Sequence, residues 1–188
     1  MSELCKQLSK YRGVVYSLSK SVPQNILIKI YHSLIYPQNI NNIIIWGGTN
    51  ITNRDKITVA INKILKIILK VKYDENHIPL VPTNLMYKQL AFLKFPDIHR
   101  YFLLKFVHFI LYRRYDVFNE FFSHLLPLNN YSMRSSKINL PSIRKEIERH
   151  FTIYQVCNLI RELPDQFLNP MTNYSLKKNF KEYALSFY

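Results

Sequence analysis

Between Asn53 and Lys72 the apolar residues Ile57, Ala60, Ile61, Ile64, Leu65, Ile68 and Leu69 return at intervals of one, three and four. An α-helix puts side chains at that spacing on one face, so the segment is expected to be an amphipathic helix with a broad apolar stripe. Thr52 or Asn53 can cap its start. Lys56, Lys63, Lys66 and Lys70 follow one another at steps of seven, three and four and line an opposing face. Such a row is usually the solvated side of a helix. It is also the geometry that could track a phosphate backbone.

The same period recurs along most of the chain. Leu4, Leu8, Val15 and Leu18 predict a helix over 4–18 with Lys6, Lys10 and Arg12 between them. Ser21 or Val22 near the cap, with Pro23 in the first turn, predicts a second helix that Pro37 stops. Residues 39–46 are apolar and β-branched, compatible with a strand or a short helix. Residues 73–84, with two prolines and the first acidic cluster, read as a connector. Helices are expected at 84–92, 95–114, 151–163 and 173–187, with a second proline-bounded loop at 126–142.

Only three glycines occur in 188 residues, which leaves little material for tight hairpins. The expected fold is therefore all-α: an irregular bundle of about six to eight helices in two lobes, one over 1–73 and one over 74–188. No stretch approaches the ~18 uninterrupted apolar residues of a membrane span, so no transmembrane segment is expected. The start, MSELCKQLSK, lacks the apolar core of a signal peptide. Cys5 and Cys157 are far apart and form no C-x-x-C. An intracellular, reducing setting follows, nucleus or cytoplasm unresolved.

Charge is distributed unevenly. The net charge is +14; residues 4–73 carry 11 Lys or Arg against the single acid Asp55, whereas residues 74–188 carry 15 against 10. A cationic lobe of this kind suits a polyanion, nucleic acid first and an anionic membrane surface second. The plainer reading is a lysine-rich solvated surface.

Catalytic material is sparse. The six histidines show no H-E-x-x-H spacing, and no phosphate-binding G-x-x-x-x-G-K-[ST] or nucleophile-elbow G-x-S-x-G occurs. His108 and His124 lie in aromatic helical segments and read as satisfied histidines rather than ligands. Cys157, in YQVCNLI, reads as a buried inert thiol. Two-metal polymerase chemistry needs clustered carboxylates. Asp55, Asp97, Asp116 and Asp165 are isolated from one another in sequence. No enzyme activity, no cofactor and no metal site are expected.

The order of segments carries a further signal. LSKYRGVVYSLSKSVPQNILIKIYHSLIYPQN, then IIIWGGTN, then INKILKIILKV, resembles the region that follows the catalytic palm in reverse transcriptases of non-LTR (jockey-like) retrotransposons. NYSMRSS, INLPSIRK, CNLIRELPDQF and SLKKNFKEYALSFY continue that pattern over nearly the whole chain. The resemblance implies a basic thumb-like lobe over 1–73 and the polymerase tail over 74–188, without the palm and its aspartates. It further implies a non-catalytic fragment whose partners are a template–primer duplex of RNA or DNA, held without sequence preference, and the palm of a full-length polymerase.

On that reading Lys6, Lys10, Arg12, Lys20, Lys63, Lys66 and Lys70 are the nucleic-acid-binding residues. Trp46 anchors its segment to the thumb core, and Gly47-Gly48 lets the backbone turn into the lysine-striped helix. One departure stands out: the family usually has a tryptophan before its Asn and Leu-Pro, where this chain has Cys157-Asn158 and a longer spacing to Leu163-Pro164. Two other readings accompany it, a degenerate retroelement remnant without selected activity and a basic amphipathic protein of membrane surfaces.

Overall fold

The computed structural model describes residues 2–41, 43–48, 51–76, 79–113, 116, 120, 141–142 and 151–188. These residues are mostly helical, and their sole β-type pairing is an isolated bridge between Tyr73 and Pro79. The all-α expectation holds. The helices are α1 (Ser2–Leu18), α2 (Gln24–Ile30), α3 (Tyr36–Ile40), α4 (Ile43–Trp46), α5 (Ile51–Ile68), α6 (Thr83–Leu90), α7 (Phe95–Arg113), α8 (Thr152–Glu162) and α9 (Asn173–Leu185). A π-helical turn, Tyr31–Ile35, joins α2 to α3, and a 3-10 turn, Asp165–Leu168, follows α8. The loop expected at 126–142, and His124, fall outside the described residues except for 141–142.

Two compact units form. The first comprises Met1–Ile43, Thr49–Ile98 and Tyr183–Tyr188; the second comprises Ile44–Gly48 and His99–Glu182. The first therefore runs well past the boundary expected at 73. The reason is local to that unit: α6 packs on α5, and the buried Tyr87 donates a hydrogen bond to Asn62 Oδ1 at 2.7 Å. Trp46, expected to anchor the thumb-like lobe, groups with the second unit instead, where Thr152 Oγ1 donates to the Ile44 carbonyl at 3.4 Å.

In the first unit α1 lies along α5. Leu8 and Val15 of α1 are buried, as are Ile57, Ile61, Ile64, Leu65 and Ile68 of α5. The stripe read from the sequence is thus the packed face. Helix α5 begins at Ile51, so Thr52 and Asn53 lie inside its first turn rather than capping it. It also ends earlier than expected. The Val71 amide bonds back to the Lys66 carbonyl (3.0 Å) and the Lys70 amide to that of Ile67 (3.1 Å), closing a Schellman motif with Lys70 at φ 50°. Ala91 closes α6 in the same way, with φ 50°, while no described glycine has a positive φ. The turn function expected of Gly47-Gly48 is not left-handed backbone; both are buried.

Pro37 does not stop its helix. A proline lacks the N–H of the ladder and its ring crowds the carbonyl four residues back. The chain widens before it, with the Tyr36 amide reaching the Tyr31 carbonyl, and continues as α3 with Pro37 in the first turn. Pro23, placed by sequence in a first turn, stands one position earlier, at the cap of α2. Residues 43–46 take the helical alternative.

Gly13 sits in the middle of α1 on its exposed side, and a Cβ built there meets nothing within 4 Å. Glycine in a helix interior costs roughly 0.5–1 kcal/mol relative to alanine. Gly13→Ala should therefore raise the urea midpoint by an amount equivalent to about 1 kcal/mol, without altering the circular-dichroism spectrum of the folded state. A midpoint that falls would mean that α1 is not helical through this position.

Candidate nucleic-acid interface

The cations of interest sit on α1, on α5 and at the ends of both. Taking roughly 100° per residue, Lys6 and Lys10 project about opposite the buried Leu8 and Val15, whereas Arg12 is turned only about 40–60° from that buried stripe. All three are exposed. On α5, Lys56, Lys63 and Lys66 share an arc of roughly 80° on the side away from the core. Lys70, expected to continue this row, is displaced from it because it occupies the left-handed position after the last turn.

Arg12, Lys56 and Lys63 meet across a groove of about 500 Å³ between α1 and α5. Leu8, Val59 and Ala60 line its apolar part, and Asp55, the one acid of residues 4–73, lines it too. A three-to-one excess of cations leaves the rim positive. Lys20 lies beyond the end of α1 with its Nζ 5.1 Å from the Tyr16 ring centroid, and Lys66 Nζ lies 5.8 Å from that of Tyr73. Each ring steadies an ammonium without neutralising it.

The fold thus gathers Arg12 with Lys63 and keeps Lys63 beside Lys66. It sends Lys6 and Lys10 to another side of α1. Lys56 belongs with the groove although it is not one of the seven residues singled out from sequence; its seven-residue step to Lys63 was the available signal. No sequence pattern announces Asp55 in the groove, because its position depends on how α1 meets α5.

The acids are dispersed. Asp97 accepts a hydrogen bond from the Tyr188 hydroxyl at 2.5 Å, Asp55 is on α5, and Asp165 opens the 3-10 turn. Among the described residues no three His, Cys, Asp or Glu side chains cluster to hold a metal ion. His108 is buried with Nε2 2.6 Å from the Phe167 carbonyl oxygen. A carbonyl only accepts, so Nε2 carries the proton. Cys157 is fully buried, and burial pushes its thiol up from 9.0 to about 11, which keeps it protonated and unreactive at neutral pH. No described helix is long and apolar enough to cross a membrane. No family model, curated protein or solved structure matches the chain.

Proposed function

We propose that these residues are the thumb and tail portion of a reverse transcriptase of the non-LTR retrotransposon type, and that the basic helices hold a template–primer duplex without sequence preference. The observation that carries the reading is the excess of ten positive charges over residues 4–73, with Lys56, Lys63 and Lys66 on the side of α5 away from its buried face. The order of sequence segments supports the family. Phosphate contacts from lysine position a duplex but carry no base information, so affinity should depend on salt and hardly on sequence. Chemistry would be supplied by a palm, and this segment contributes grip.

The test is a salt titration of duplex binding by the wild type and by a variant with Lys63, Lys66 and Lys70 all changed to Glu. Every lysine–phosphate pairing removed flattens the log–log slope by roughly 0.9, so the variant should bind more weakly with a slope shallower by about 2 to 3. Unchanged affinity and slope would remove α5 from the interface. Stronger binding to anionic vesicles than to duplex at equal salt would favour the membrane-surface reading, and non-cooperative thermal unfolding would favour the remnant.

A further inference from the structure

The second unit contains a cavity of about 580 Å³, well within the roughly 300–1,000 Å³ of small-ligand sites. One wall is a single face of α7, Lys105, His108, Phe109 and Tyr112, spaced at i, i+3, i+4 and i+7; the other is the stretch 170–173 that leads into α9. This face differs from a packed one. Phe109 is 49% exposed and Tyr112 46% exposed, so two large rings stand half in water beside an open cavity. Their neighbours are fixed. The Tyr112 hydroxyl donates to the Leu168 carbonyl, and His108 Nε2 is bonded to the Phe167 carbonyl. The aromatic wall is therefore tied to the 3-10 turn before any ligand arrives.

Among the described residues, the polar groups that line it include a cation and no acid. Lys105 is exposed, and among the described residues no acid pairs with it. Lys177, also exposed, lies one turn along α9 from Asn173, whose amide offers both a donor and acceptors at the cavity. Thr172 is occupied as the cap of α9: its Oγ1 accepts from the Ser175 amide at 3.1 Å. Aromatic faces, an ammonium and an amide together match the three parts of a nucleotide, its flat base, its phosphate and its hydrogen-bonding edge.

We infer that this cavity seats one unpaired nucleotide of a single-stranded nucleic acid, with the base against Phe109 and Tyr112, Lys105 at the phosphate and Asn173 at the base edge. The site lies in the second unit and uses none of the cations assigned to duplex binding, so it does not rest on that reading.

The experiment measures anisotropy of a labelled twelve-nucleotide oligouridylate and of a twelve-base-pair duplex at equal salt, for the wild type, Phe109→Leu, Phe109→Tyr and Lys105→Gln. Phe109→Leu should weaken single-strand binding about tenfold, because stacking disappears while the salt slope stays unchanged. Phe109→Tyr should keep wild-type affinity, and Lys105→Gln should flatten the single-strand slope by roughly 0.7. Duplex affinity should not move in any of them. Displacement of the oligomer by millimolar uridine monophosphate would assign the seat to free nucleotides as well as strands. Single-strand affinity untouched by both Phe109→Leu and Lys105→Gln, or reduced equally on the duplex, would overturn the seat while leaving the duplex proposal in place. Failure of both probes to bind the wild type would overturn both.

Discussion

Raising the pH from 10 to 11 should cost the folded chain about 2 kcal/mol from two buried phenols alone, about 1 kcal/mol each, because the unfolded phenol is already half ionised at pH 10 and the full ~1.4 kcal/mol per pH unit is reached only above about pH 11. Tyr31 is 2% exposed and stacked on Phe92 with ring centroids 5.0 Å apart. Tyr87 is 1% exposed. Burial pushes both phenols far above their ordinary value of 10.0, with neighbouring tyrosines and, for Tyr87, Asp97 adding to the shift. The folded state therefore keeps both protons where the unfolded chain releases them. Their contribution is complete well below pH 10 and is lost as pH rises through it and beyond. Tyr188 acts in the same direction, raised first by burial and then by donating to Asp97, and Cys157 adds its share between pH 9 and about 11. Since a domain of this size is stable by roughly 5–15 kcal/mol, the loss is a substantial fraction. Urea unfolding followed by circular dichroism at pH 8, 10, 10.5 and 11 measures it. Tyr31→Phe keeps the ring and removes the proton, so its loss of stability between pH 10 and 11 should be smaller by about 1 kcal/mol. A wild-type profile flat to pH 11 would mean that water reaches both hydroxyls in the folded chain.

What could be read in advance, and what could not, divides along the reach of the interaction. Helices over 151–163 and 173–187 were legible because Val156, Leu159, Ile160 and Leu163, or Leu176, Phe180 and Ala184, repeat at the helical period, and all of these are buried. The end of α5 was less so. Nothing in ILKVKY marks Lys70 as the left-handed residue, a position that glycine or asparagine usually fills. Pro37 misled because a π turn can absorb a proline that an α turn cannot. In α7 the aromatics occur on every side, so periodicity did not separate the buried Tyr101 from the half-exposed Phe109 and Tyr112. For the basic surface, composition showed the cationic excess over residues 4–73, and spacing placed Lys56, Lys63 and Lys66, but not Lys70, on one arc of α5. The separation of Arg12 from Lys6 and Lys10 follows from helix geometry, but the groove between Arg12 and Lys63 exists only once α1 meets α5. The contacts of Tyr188 lie further out of reach. Its hydroxyl accepts from the Lys94 amide at 2.8 Å and donates to Asp97, partners more than ninety residues away in sequence.

Phe180→Ala should destabilise the second unit by about 4 kcal/mol, within the roughly 3–5 kcal/mol range for truncating a buried aromatic ring. Phe180 is 2% exposed on α9, with its ring centroid 6.1 Å from that of Phe167 and 5.9 Å from that of Tyr101. Those rings come from the 3-10 turn and α7, so one side chain joins three segments. Removing it forfeits apolar burial and leaves a void that fixed backbone on three sides cannot close. Tyr174 is the matched control on the same helix: at 78% exposed, its replacement by alanine should stay within about 0.5 kcal/mol of wild type. Native-state hydrogen exchange adds a local readout. In Phe180→Ala, amides of α9 and of α8 beside Val156 and Leu159 should lose protection more than those of α5, which belongs to the other unit. Equal losses in α5 and α9 would show that the two units unfold as one cooperative block. A cost near that of Tyr174→Ala would mean that Phe180 is not packed between Phe167 and Tyr101, and the core of the second unit would need to be assigned to other side chains.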